Sequence, residues 1–64
     1  MKRYTLRPGV FVRRRDDTLR PVAEVLDQVT GDTWNVVVTD YRGRRVIEAV
    51  HWNAERECYE TVGG

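Results

Sequence analysis

The sequence predicts an all-β domain, a small barrel or a strongly curved antiparallel meander of about five short strands. Three observations carry this expectation. Val, Ile, Thr and aromatic residues fill the apolar positions. No apolar pattern of helical period persists over several turns. Short β-prone runs are bounded by Gly, Pro, Asn and Asp, which end strands and make turns.

The strands are expected near Val10–Arg15, Val22–Val29, Thr33–Tyr41, Arg44–Trp52 and Cys58–Val62. A short edge piece at Tyr4–Leu6 precedes Arg7-Pro8-Gly9, and Gly63-Gly64 reads as a frayed tail. In the first strand, alternation puts Val10, Val12 and Arg14 on one face and Phe11, Arg13 and Arg15 on the other. Arg14 therefore belongs at the rim of the core, with a carboxylate in reach. Arg13 and Arg15 face a partner together beside Phe11. Asp16-Asp17 with Thr18 reads as the turn that ends this strand.

Two turns set the expected register. Arg42-Gly43 reads as a two-residue hairpin loop, Gly supplying positive φ. It pairs Tyr41 with Arg44, Asp40 with Arg45, Val38 with Ile47, Val36 with Ala49 and Trp34 with His51. Gly31-Asp32 as the preceding tip pairs Val29 with Trp34, Val25 with Val38 and Ala23 with Asp40. One face then carries Ala23, Val25, Val29, Trp34, Val36, Val38, Ile47 and Ala49, the expected core. Asp40 and Arg45 form a rim ion pair. The opposite face carries polar residues but also Val22, Leu26, Val37, Tyr41, Val46, Val50, Trp52 and Tyr59. That is too apolar for a solvated face. Either the sheet curls so that bent strands swap faces, or a second copy covers this face, or a ligand does.

The chain of 64 residues reads as a single domain, 1–64, near the lower size limit for independent folding. Cys58 is the only cysteine and His51 the only histidine, so an intrachain disulfide and a multi-cysteine zinc site are both excluded. No apolar run is long enough to span a membrane, and nothing after Met1 reads as a signal peptide. A single unpaired thiol points to a reducing cytoplasm. The net charge is only +1, yet residues 1–20 hold seven basic and two acidic side chains, while residues 21–64 hold four and eight. Ten of the eleven basic residues are Arg, which suits bidentate recognition of carboxylate or phosphate. GC-rich coding also enriches Arg.

The pieces Pro21-Val22-Ala23-Glu24-Val25, Val36 through Gly43, and Arg45-Val46-Ile47 resemble an SH3-like small barrel of the Tudor type. Gly9-Val10-Phe11-Val12 resembles the opening of KOW-type barrels. The resemblance implies a binding module. In Tudor domains the ligand is a methylated Lys or Arg in an aromatic cage; in KOW-type barrels it is RNA or another protein. Of the cage pattern only Asp40 and Tyr41 match. Pro21-Val22 replaces the family's aromatic before Arg-Ala, and Arg42 interrupts its Asp-Tyr-Gly run. Trp52 and Tyr59 are expected neighbours.

His51 and Cys58 face each other across the expected last hairpin, a spacing that suits a thiolate nucleophile. No third group orients the His, and no helix N-terminus lowers the thiol pKa. The carboxylates are scattered singly, and no phosphate loop or zinc spacing is present. The expectation is a non-enzymatic module with no catalytic site, cofactor, metal or small-molecule substrate. Its partner is expected to be a protein, most simply a second copy of the chain in a homodimer. Val37, Tyr41, Val46, Val50, Trp52 and Tyr59 form the interface in that reading. The alternative is nucleic acid, RNA or DNA, held by Arg13, Arg15, Arg42 and Arg44.

Overall fold

In the computed structural model, which describes residues 5–62, five strands form: β1 (Phe11–Arg13), β2 (Leu19–Thr30), β3 (Thr33–Thr39), β4 (Arg45–Asn53) and β5 (Cys58–Thr61). There is no helix among the described residues. The strands follow one another as an antiparallel meander, and β5 returns to pair with β1 in parallel. The sheet is thus a closed five-stranded barrel of the SH3-like kind. Thr5 and Leu6 are not in a strand, although Leu6 packs against the core. Tyr4 and the Gly63-Gly64 tail lie outside the described residues.

Closure depends on β2, a strand of 12 residues. At its tip Thr30 pairs with Thr33 around Gly31-Asp32, as the sequence predicts. Three register shifts then follow, between Gln28 and Thr30, Val25 and Asp27, and Val22 and Glu24. Each bulge adds a residue on one side of the ladder, bends the strand and raises its twist. Their sum carries β2 from the β3 side round to β1. It also swaps the strand's faces: Val22 pairs with Val38 inside, while Val29 and Ala23 lie exposed.

The β3–β4 turn makes a second correction. The loop is three residues long, Tyr41-Arg42-Gly43, closed by Asp40 N–H on Arg44 O at 2.9 Å. Gly43 N–H donates to Asp40 O at 2.9 Å, and Gly43 has φ +81°. That is the three-residue hairpin with glycine in the left-handed position. The extra residue slides β4 by one place, so Val38 meets Val46 and Trp34 meets Val50. A shift of one residue reverses every side chain of the strand. Ile47 is therefore 67% exposed and Val50 fully buried.

The core is one cluster: Val12, Val22, Val36, Val38, Val50 and Tyr59, with Leu6, Val10, Val25, Trp34, Val46 and Trp52 packed on it. Tyr59 meets Trp52 at 5.1 Å and Trp34 at 5.8 Å between ring centroids, both edge-on. Such geometry suits the ring quadrupoles. Val37 points outward on β3 and is still buried. Glu24 pairs with it in register, and the Glu24–Arg45 ion pair at 2.8 Å crosses the strand there.

Polar groups pin the ends of the strands. Buried Asp40 accepts the amides of Arg42 and Arg44, each at 2.9 Å. Its ion pair is with Arg44, not the expected Arg45. Arg20 donates to the carbonyls of Thr39 and Asp40 at 2.8 and 2.6 Å. Arg14 reaches Glu48 at 2.9 Å across the barrel rim, the carboxylate contact that alternation predicts.

Three carboxyl groups are held below their ordinary range. Asp40 is lowered by the amides of Arg44 and Arg42 against opposing burial, Asp16 by the Thr18 hydroxyl and amide, and Glu60 by Asn53 and Arg56. Groups with depressed folded pKa values contribute stability above the unfolded pKa, and that contribution disappears as pH falls through the folded one. The urea midpoint is therefore expected to hold down to about pH 5 and to fall steadily below about pH 4. A midpoint unchanged at about pH 3 would contradict these assignments.

Candidate functional site

Barrel closure decides what the surface offers. Of the six residues expected at a protein interface, Val37, Val50 and Tyr59 are buried and Val46 and Trp52 are half-buried against the core. Only Tyr41, at 80% exposure, stands free of the barrel. Val22, Val46, Val50, Trp52 and Tyr59 of the second apolar face thus turn into the barrel through the β3–β4 slip and the β2 bulges, while Leu26, Val37 and Tyr41 stay outside it. Trp52 and Tyr59 are neighbours as expected, but as core rings. Tyr41 lies on a turn, with the Arg42 guanidinium 5.4 Å over its ring.

The outer side of β1 is different. Phe11 pairs with Pro21 and Arg13 with Leu19, so these four side chains share the outward face. Phe11 is 56% exposed. Beyond Arg13 the chain turns through Arg15-Asp16-Asp17. Arg14 N–H donates to Thr18 O and Asp17 N–H to Arg14 O, both at 2.8 Å. This is the hydrogen-bond pattern of the β3–β4 turn, with Asp17 at φ +69° where that turn has glycine. Asp16 accepts from the Thr18 amide and hydroxyl and fixes the loop, as its position in the sequence predicts.

Along the β1–β5 seam runs an open groove of ≈ 450 Å³, lined by Arg13, Arg14, Arg15 and Arg56 with Asp17, Glu60 and Thr61. Arg13 faces it because it pairs with Glu60 in the parallel β1–β5 ladder. Its guanidinium contacts Asp17 at 3.0 Å, and the Cys58 side chain and Asp17 together raise its pKa. Arg56 binds Glu60 at 3.2 Å and lies 3.8 Å from Asp17. Arg15 is exposed and makes no ion pair with any described residue. A second groove beside Phe11 is lined by Thr5, Arg7, Gly9 and Val10. Phe11 therefore stands between Arg7 on one side and the four-arginine groove on the other.

The structure brings together Arg13 and Arg15 of the four arginines expected to meet nucleic acid. Arg42 and Arg44 sit apart on the β3–β4 turn, where Arg44 holds Asp40 at 3.3 Å. Arg56 belongs to the groove and was not legible from local pattern, because only the parallel β5–β1 pairing carries it there. The His51–Cys58 pairing also differs from expectation. His51 lies opposite Glu60 and Cys58 opposite Asn53, with the thiol 3.9 Å from Glu60 Oε2. No group of three or more His, Cys, Asp or Glu side chains is placed to hold a metal among the described residues. No helix of the described residues is long and apolar enough to cross a membrane. The chain matches no protein-family model, no curated protein and no solved structure.

Proposed function

We propose that this barrel is a non-enzymatic module that binds single-stranded nucleic acid along the outer side of β1. The observation that carries this reading is the line Arg7, Phe11, Arg13 and Arg15, an exposed aromatic ring between guanidinium groups. Base stacking on an aromatic ring is indifferent to sequence, while flanking cations track the backbone. The likeness of Gly9-Val10-Phe11-Val12 to the opening of KOW-type barrels points the same way. The lone thiol of Cys58 suits a reducing cytoplasm.

Fluorescence anisotropy of a labelled oligouridine or oligothymidine tests the reading. Affinity should fall with salt, with a log–log slope of about −0.7 per phosphate engaged. Arg15→Ala should flatten that slope by about 0.7. Phe11→Ala should cost about 1–3 kcal/mol of binding with little effect on the slope. Failure of every single strand to bind at low salt would end the proposal.

A second reading, protein docking or self-association, is favoured by one observation. Phe11, Pro21 and Leu19 form an exposed apolar strip on the same outward face. Interface cores favour such residues. Sedimentation decides it: a mass near twice 7.5 kDa at micromolar concentration, reduced by Leu19→Asp, would support a homodimer. A strict monomer would remove it.

A further inference from the structure

We propose that the Asp17 carboxylate occupies a phosphate subsite formed by Arg13 and Arg56, and that a phosphodiester of the bound strand displaces it. The inference rests on the nucleic-acid reading and adds an internal competitor to it. Two turns of this barrel share one hydrogen-bond pattern, and each needs a left-handed residue at its third loop position. One uses Gly43, the residue that adopts φ > 0 without penalty. The other uses Asp17, which takes that conformation at a cost and places a carboxylate in the basic groove. There one oxygen, Oδ1, lies 3.0 Å from Arg13 Nη1 and 3.8 Å from Arg56 Nη1. The two arginines come from distant parts of the chain, β1 and the β4–β5 loop, and both reach this carboxylate, with Glu60 the nearer partner of Arg56 at 3.2 Å.

The carboxylate is held loosely enough to leave. Its side chain is 75% exposed, and exposed ion pairs contribute little because solvent screens them. A phosphodiester presents two charged oxygens, and guanidinium groups bind phosphate bidentately. Asp17 therefore acts as a stand-in for phosphate. It keeps Arg13 in place in the free protein, while Glu60 holds Arg56, and it sets a threshold that a strand must exceed.

Asp17→Asn tests this directly, because Asn tolerates the left-handed conformation and removes the charge. Asp17→Gly, which copies Gly43 in the related turn, guards against an effect of the amide. Both variants should bind labelled oligothymidine several-fold more tightly than the wild-type chain. The salt slope should steepen by about 0.7, one further phosphate being engaged. Asp16→Asn is the control. It makes the same change in net charge next door, at a carboxylate that bonds to Thr18 and forms no ion pair with any described residue. Tighter binding by the Asp17 variants alone supports the inference. Equal tightening by Asp16→Asn, or no tightening at all, overturns it and leaves the nucleic-acid reading standing. If neither the wild-type chain nor any variant binds a strand at low salt, both fall together.

Discussion

Tyr59→Ala is expected to leave the chain largely unfolded at room temperature. Tyr59 is 1% exposed and is the largest fully buried side chain. It pairs with Val12 in the parallel ladder and with Trp52 in the antiparallel one, so it sits at the seam that closes the barrel. Truncating a buried aromatic costs about 3–5 kcal/mol. Each of its edge-on contacts with Trp34 and Trp52 adds about 0.5–1.5 kcal/mol. A chain of this length has a total stability of about 3–10 kcal/mol, and Cys58 has no partner for a disulfide. Circular dichroism during urea unfolding is the check. A cooperative transition weakened by less than about 1 kcal/mol would contradict the seam role of Tyr59.

Val50→Asp is expected to abolish folding near neutral pH. Val50 is fully buried and faces Trp34 across the β3–β4 ladder. The change forfeits about 1.5–3 kcal/mol of apolar burial. It also buries a carboxylate with no cation at hand, which costs several kcal/mol more. The same variant separates core from interface. On an exposed docking face it would leave a folded monomer and remove only association. A folded Val50→Asp chain with native-like spectra would therefore restore the register in which Ile47 faces inward.

The fold class was legible because it depends on local pattern. β-branched runs, turn residues and the lack of helical period are all local, and the strand positions follow from them. The faces were not legible, for two physical reasons. First, Arg42-Gly43 reads as a two-residue loop, but the buried Asp40 side chain caps the amides of Arg42 and Arg44 and makes a three-residue one. Second, bulges in β2 carry no glycine or proline to announce them. They arise because a strand of 12 residues must bend to meet both β3 and β1. The apolar excess on the second face was the visible sign of this, since closure turns its Val22, Val46, Val50, Trp52 and Tyr59 inward.

The candidate site was partly legible for the same reason. Alternation within Val12-Arg13-Arg14-Arg15 predicts an inward Arg14 between outward arginines, and Arg14 does meet Glu48; but β1 ends at Arg13, and beyond it Arg14 and Arg15 line the same groove as Arg13. Arg56 and Asp17 were not legible as members. Their meeting depends on how the first turn folds back and on the return of β5 to β1, and neither leaves a mark in the neighbouring residues.

The proposed strand site is the outer side of β1, between Arg7 and Arg15. Titration of the ¹⁵N-labelled chain with oligothymidine at low salt, followed by amide and Arg Nε resonances, tests it most directly. Shifts concentrated on Arg7, Phe11, Arg13, Arg15 and Arg56 are expected. Shifts gathered instead on Asn35, Val37 and Ile47 at the outer side of β3 and β4, or no shifts at all, would contradict it.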